Sequence, residues 1–145
     1  MTQTPSADGR PGRVLGVDLG ARRIGLALSD ELRLTVRPLG VVNSRGARRD
    51  ATAIRQAVGE DWPVQLVVGL PLLPSGDEGD SAVAARERGL DLGRRLQLPV
   101  AFVDEAYSTV TAQERIDAGA RGELDALAAA VIVEDYLADQ GRVSP

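Results

Sequence analysis

Apolar residues at the start of the chain form the short runs that are typical of β-strands. Arg13 to Leu19 and Arg23 to Ser29 are β-prone, and a turn at Gly20-Ala21 couples them closely, as in a hairpin. Leu34 to Val42 predicts a third strand, and Pro38 places it near an edge because proline donates no backbone hydrogen bond. The opening therefore predicts an antiparallel meander.

The apolar positions then change to helical spacing. Ala47 to Val58 predicts a first helix, which ends before Trp62-Pro63. Asp80 to Leu96 predicts a second amphipathic helix, and Ser108 to Ala118 predicts a short one. Leu124 to Leu137 predicts a long helix with a single apolar stripe.

Two continuous apolar runs lie between these helices, Val64 to Leu70 and Val100 to Val103. Such runs are typical of strands covered on both faces. The predicted order is three strands, a helix, a strand, a helix, a strand and two helices. We predict an α/β fold similar to the RNase H-like fold. Its mixed five-stranded sheet has three antiparallel strands followed by two parallel ones, with helices on both faces.

The length of 145 residues fits one domain, and the hydrophobic share of 43% is ordinary for a globular protein. We expect a flexible tail at residues 1–12, one domain at 13–139 and a C-terminal tail at 140–145. The first tail has no apolar segment of the kind found in signal peptides, and no run in the chain is long enough to span a membrane. We therefore expect a cytoplasmic protein that does not bind membranes.

Charge is divided unevenly along the chain. Residues 1–58 contain ten arginines and five acids, a net charge of +5, whereas residues 59–145 contain seven arginines and sixteen acids, a net charge of −9. This division suits a phosphate-binding surface beside a metal-binding carboxylate cluster. The use of arginine without lysine also fits genomic base composition.

Neither cysteine nor histidine is present. Thiolate and imidazole ligands and cysteine nucleophiles are therefore excluded. Any hydrolytic chemistry must use carboxylates, hydroxyls and arginine, with hard divalent ions such as Mg²⁺ or Mn²⁺ as the natural cofactors.

The strongest candidate for chemistry is Asp18, a charged residue within an otherwise apolar strand. A buried charge is costly unless it is paired or binds a metal. Gly16 and Gly20 leave room beside it for a ligand, and Arg22 and Arg23 follow as candidate phosphate-binding residues. The alternative is a hairpin-turn aspartate beside solvated arginines.

A second candidate segment ends a short strand with Asp104 and Glu105, at the carboxyl end where open α/β sheets bind ligands. Ser108 and Thr109 then open a helix, whose N-terminus favours a phosphate of bound nucleic acid. The alternative is an ordinary helix start with capping hydroxyls and acids that complement the dipole.

Three further residues complete the candidate set. Asp125 lies in the first turn of the last helix beside small residues that permit close packing on the sheet, although an acid there can simply complement the dipole. Gly69 and Pro71, in a turn at a strand end, could line a nucleic-acid groove, or could form only a turn.

These residues are sufficient for phosphodiester hydrolysis. Two divalent ions about 3.5–4 Å apart can activate water and neutralise the developing charge. We expect Asp18, Glu105 and Asp125 to be both the catalytic residues and the metal ligands. Arg22 and Arg23 would hold a phosphate.

Four motifs follow one another over about residues 13–139. They match, in order, Asp18, Gly20, Arg23, Ile24 and Gly25; then Gly69, Leu70 and Pro71; then Asp104, Glu105, Ser108, Thr109 and Ala112; then Asp125, Ala128 and Ala129. Together they resemble the YqgF-type pre-16S rRNA nucleases, homologues of bacterial Holliday-junction resolvases in the RNase H-like superfamily. The chain departs from the pattern at Ala106, where the family usually has arginine.

The resemblance implies an acidic triad at Asp18, Glu105 and Asp125. It also implies maturation of the 5′ end of pre-16S rRNA in the cytoplasm, often by a homodimer. Three alternatives remain open: a DNA Holliday-junction resolvase or other DNA nuclease, a catalytically silent nucleic-acid-binding module of ribosome assembly, and an ATPase of the actin-like or sugar-kinase type. The last needs a second lobe, for which 145 residues leave no room.

Overall fold

The computed structural model describes residues 11–105 and 121–142, and within the last helix it describes side chains from 124 to 139. In chain order the elements are β1 (Val14–Leu19), β2 (Arg23–Ser29), β3 (Val36–Asn43), α1 (Ala47–Val58), β4 (Gln65–Pro71), α2 (Asp80–Leu96), β5 (Val100–Glu105) and α3 (Arg121–Arg142). The predicted helix at 108–118 lies outside the described residues. None of the described helices is both long and apolar enough to cross a membrane.

The five strands form one mixed sheet in the order β3-β2-β1-β4-β5. β1 and β2 pair antiparallel, as do β2 and β3, whereas β4 runs parallel to both β1 and β5. Pro38 lies in the edge strand β3, where the pairing with β2 shifts register. These pairings confirm the predicted fold class and the predicted place of the proline.

Several predicted boundaries were wrong, including both ends of β3, which runs Val36–Asn43 rather than Leu34 to Val42. Gly69 to Pro71 belong to β4 rather than to a turn, because the parallel pairing of β4 with β5 continues to the Pro71–Glu105 pair. The same pairing confirms that Asp104 and Glu105 end their strand. The last helix already includes Arg121, where this described segment starts, so Asp125 lies at least three residues further into the helix than predicted. The apolar stripe begins only at Leu124, and this hid the polar helical residues before it.

Each face of the sheet carries its own core. On one face, large side chains from the three central strands pack against α1 and α2, with Leu15, Leu26 and Ile54 fully buried. On the other face, α3 packs across the sheet through Ala129, Ile132 and other small or branched residues. The sheet is therefore covered on both faces, as predicted.

Candidate active site

The candidate acidic residues lie at one edge of the sheet and on one face of it. Asp18 shares its face of β1 with Val14, which belongs to the core under α3. Glu105 shares its face of β5 with Val103, which belongs to the same core. Because β1 and β5 both run parallel to β4, their carboxyl ends meet at the same edge.

A glycine opposite Asp18 allows α3 to approach the sheet. Asp18 pairs with Gly25 across the β1–β2 ladder. A side chain on Gly25 would overlap the backbone carbonyl of Asp125 in α3. The absence of a side chain at Gly25 therefore brings the backbone of Asp125 against the strand next to Asp18.

Glu105 lies beside another glycine. A Cβ atom on Gly69 would lie 2.6 Å from Ile132 Cδ1 and 3.5 Å from Glu105 Cγ. The β1–β4 register pairs Val17 with Val68, so its next step brings Asp18 level with Gly69. Glu105 Oε1 is buried. Asp18 and Glu105 thus lie on either side of β4, where Gly69 places no side chain between them.

Asp125 is joined to Arg23 by an ion pair. Arg23 Nε donates to Asp125 Oδ2 at 2.8 Å, and about a third of each side chain remains exposed. The sequence analysis assigned Arg23 to phosphate and Asp125 to metal, and the structure joins the two residues across α3 and β2. Arg23 therefore neutralises the charge of Asp125 that a metal ion was expected to neutralise, and Asp125 neutralises the charge of Arg23 that a phosphate was expected to neutralise.

The other predicted nucleic-acid residues occupy different settings. Arg22 is exposed in the β1–β2 turn. Gly69 is buried beneath Ile132, so it has a packing role in addition to any role in binding. Pro71 is partly buried at the end of β4. Ser108, Thr109 and Ala106 lie outside the described residues.

A divalent ion suits the chemistry of this edge. Carboxylate oxygens are the ligands that Mg²⁺ prefers, and Asp18 and Glu105 present two carboxylates on one face with no Cβ on Gly69 between them. Within residues 11–105 and 121–142, no three acids are grouped so that they could hold a metal ion by themselves. The donors present fit a hard cation in kind, and Asp125 is already paired with Arg23.

Sequence reasoning missed two features of the site. The close approach of α3 through Gly25 was detectable, because strand alternation puts Arg23, Gly25 and Ala27 on one face, and a glycine between two such positions indicates close packing. The ion pair between Arg23 and Asp125 spans 102 positions. No local pattern in the sequence signals it.

Comparison with known proteins extends these findings. The RuvX family model, described as "Holliday junction resolvase", matches residues 12–139. A protein named "Putative pre-16S rRNA nuclease" from Paraburkholderia phymatum is 39% identical over 131 residues, which cover 89% of this chain and 87% of the relative. A protein of the same name from an Anaeromyxobacter strain is 44% identical, with coverage of 86% and 96%.

Solved structures show the same fold. RuvC of Thermus thermophilus superposes with a TM-score of 0.53 at 17% identity, covering 89% of this chain and 96% of RuvC. The same RuvC in complex with a Holliday junction substrate gives a TM-score of 0.52. At this identity the likeness supports the RNase H-like architecture.

Proposed function

Because the chain belongs to the RuvX family, we propose that it is a divalent-metal-dependent nuclease that processes the 5′ end of pre-16S rRNA in the cytoplasm. The observation that carries this proposal is that Asp18 and Glu105 share one face of the sheet at the carboxyl ends of their strands, with Asp125 packed against the strand beside Asp18. The names of the relatives favour pre-16S rRNA as the substrate.

Asp18 and Glu105 are the residues that would hold Mg²⁺ or Mn²⁺, with Asp125 as a third donor. The bound ions would supply an activated water and neutralise charge on the phosphate. Acids on a shared face repel one another, so the site without metal is held at a cost in stability. Arg23 lowers that cost by neutralising Asp125.

The remaining side chains would position the substrate. Arg22 is exposed at the turn between β1 and β2, where its guanidinium can reach a phosphate next to the cleaved one. Because Gly69 has no side chain, β4 places none between the two acids. Ser108 and Thr109, which lie outside the described residues, would receive the nucleic-acid backbone.

A DNA four-way junction is the second candidate substrate. The description of the family model favours it, since it names a Holliday junction resolvase. The fold is compatible with both substrates, because specificity depends on the surfaces around the site rather than on the fold.

A cleavage assay tests the proposal. Labelled RNA containing the 5′ leader of 16S rRNA, duplex DNA and a four-way junction are each incubated with Mg²⁺, Mn²⁺ or EDTA. We expect cleavage of the RNA with either metal and none in EDTA. Preferred cleavage of the junction would favour the second candidate, and cleavage that persists in EDTA would contradict the metal mechanism.

The variant Asp18→Asn assigns the activity to this site. It keeps the shape of the side chain but removes its charge, so the folded variant should be inactive. Asp135→Asn in α3 is the matched control, because Asp135 lies ten residues beyond Asp125 in the same helix. Equal activity of Asp18→Asn and the wild type would remove the site, and binding without cleavage by the wild type would favour a silent assembly module.

A further inference from the structure

Beside the candidate site lies a group of exposed arginines that the proposed chemistry does not use. Arg45 precedes α1, and Arg48 and Arg49 lie in its first turn. We propose that these three residues, the arginine ridge, bind the phosphate backbone of a nucleic-acid strand beyond the scissile linkage. This inference rests on the proposed function and extends it from a catalytic site to a track for the substrate.

The start of the ridge is joined to the β1–β2 turn, next to the site. Ser44 N donates to Arg22 O at 2.8 Å, which ties the chain leading into α1 to the β1–β2 turn. Arg23, at the start of β2, pairs with Asn43 at the end of β3. A nucleic-acid strand bound at Asp18 that passes over Arg22 would therefore reach Arg45 next, because Arg45 follows Ser44 in the chain.

The one acid in this segment is turned inward. Between residues 44 and 58 the chain has four arginines and a single acid, Asp50. Asp50 is 5% exposed, and its carboxylate accepts hydrogen bonds from Arg45 N and from Ser44 Oγ, each at 2.7 Å. The negative charge of Asp50 is therefore used inside the protein, in hydrogen bonds to the residues before α1, and the outer surface of the segment is left positive.

Four other arginines with exposed side chains are engaged by acids. Arg37 pairs with Asp61, Arg86 with Glu78, and Arg94 and Arg95 both pair with Asp91. By contrast, within residues 11–105 and 121–142 none of the three ridge arginines forms an ion pair. Their positive charge is available to a partner in solution.

Neutral hydrogen-bonding groups continue the ridge along the helix. Arg48, Arg49, Thr52 and Gln56 line a groove of about 380 Å³ on the outer side of α1. Guanidinium groups match phosphate geometry, and hydroxyl and amide groups can bond to sugar and phosphate oxygens. This lining favours a nucleic-acid strand over an acidic protein, as does the link between the start of the ridge and the turn beside the proposed nuclease site.

Salt dependence of binding tests the ridge. The affinity for single-stranded RNA is measured in EDTA over a range of salt concentrations, for the wild type and for the triple variant Arg45→Gln, Arg48→Gln and Arg49→Gln. Each lost phosphate contact should reduce the slope of log affinity against log salt by about 0.7, so the triple variant should lose about 2. The matched control is Arg37→Gln, Arg94→Gln and Arg95→Gln, which removes the same charge from exposed sites away from the ridge.

Two lengths of RNA separate local from extended contact. A long strand should lose affinity for the triple variant, whereas an oligonucleotide that spans only the catalytic site should bind as it does to the wild type. An equal slope for the ridge variant and the control would overturn the proposal, as would competition by polyglutamate as effective as that by RNA. Thermal unfolding of both variants confirms that each is folded, which is expected because glutamine and arginine have similar helix propensities.

The outcome is independent of the cleavage assay. Binding in EDTA needs no catalysis, so a protein without nuclease activity could still show the ridge-dependent slope. Conversely, unaltered binding by the triple variant would reject the ridge proposal without affecting the proposal that Asp18 belongs to the cleavage site.

Discussion

The two faces of the sheet differ in whether the strands carry large or small residues. On the face covered by α1 and α2, the strands carry large apolar side chains, and the small residues belong to the helix: Gly89 faces Val68 and Phe102. On the face covered by α3, the strands themselves carry glycines at Gly16 and Gly25, and α3 adds alanines.

One face of the sheet therefore contributes most to stability, and the other face carries the candidate site. Burying a large aliphatic side chain contributes roughly 1.5–3 kcal/mol, so the face rich in Leu, Ile and Val contributes more of the apolar burial. The glycine face forgoes part of that burial. In exchange, the backbone of α3 approaches β2 closely enough for Asp125 to meet Arg23 at 2.8 Å. The charged candidates Asp18, Arg23 and Glu105 all belong to this second face.

The sharpest test of the comparison uses neighbours in β5 that point to opposite faces. Glu105→Gln should lower the cleavage rate about 1,000-fold, equivalent to about 4 kcal/mol in the barrier, because a metal-binding carboxylate is lost. Asp104→Asn should leave the rate within about twofold, since strand alternation turns Asp104 to the α2 face. Steady-state cleavage rates measure both, and equal losses would show that the site is not confined to one face.

A glycine substitution on each face tests the packing difference. Gly25→Ala should lower the free energy of unfolding by about 3 kcal/mol, because its methyl group would overlap the backbone of α3, which cannot rotate away. Gly89→Ala should change it by less than about 1 kcal/mol. Its methyl group meets side chains of Val68 and Phe102 at 3.0 and 3.1 Å, and the gain in helix propensity offsets that crowding. Urea denaturation distinguishes the two, and similar losses would contradict the proposed contrast.

The ion pair at the site should respond to metal. A double-mutant cycle with Arg23→Gln and Asp125→Asn should give a coupling of about 0.5–1 kcal/mol without metal, typical of a partly exposed pair. Saturating Mn²⁺ should reduce the coupling, because the ion competes with Arg23 for Asp125. The pair between Arg86 and Glu78, with a 2.7 Å contact, is the control, and its coupling should not change with metal. A coupling at Arg23 that Mn²⁺ leaves unaltered would exclude Asp125 as a ligand.

The smallest expected effect lies in the turn after β2, far from the site. Backbone N–H groups, first that of Thr35 and then those of Leu34 and Leu32, hold the pKa of Asp30 below its ordinary value of 3.8. The stabilisation by this lowered pKa is present above 3.8 and is lost as the pH falls through the pKa of the folded state. Asp30→Asn should therefore show a smaller fall in Tm over that acid range, whether or not Mn²⁺ is present. A metal-dependent difference would connect this turn to the site.

Much of the fold could be predicted because local patterns determine it. The limits of α1 and α2 were correct, since apolar residues at helical spacing end at glycine or at a left-handed residue in both cases. The turn predicted at Gly69 to Pro71 was wrong because the last residues of β4 are held by pairing with β5 rather than by local propensity. The predicted start of α3 at Leu124 was wrong because the helical residues before it are polar.

The sequence by itself determined which residues could carry chemistry and to which face each belongs. With no histidine or cysteine, carboxylates are the available metal ligands, and alternation along β1 and β5 assigns Asp18 and Glu105 to a face. Only the tertiary structure decided that these faces are the same one, that Asp125 comes to lie beside Gly25, and that Arg23 pairs with Asp125 across 102 positions. The physical reason is that such contacts depend on how closely a helix can approach a sheet, and packing between distant segments sets that distance.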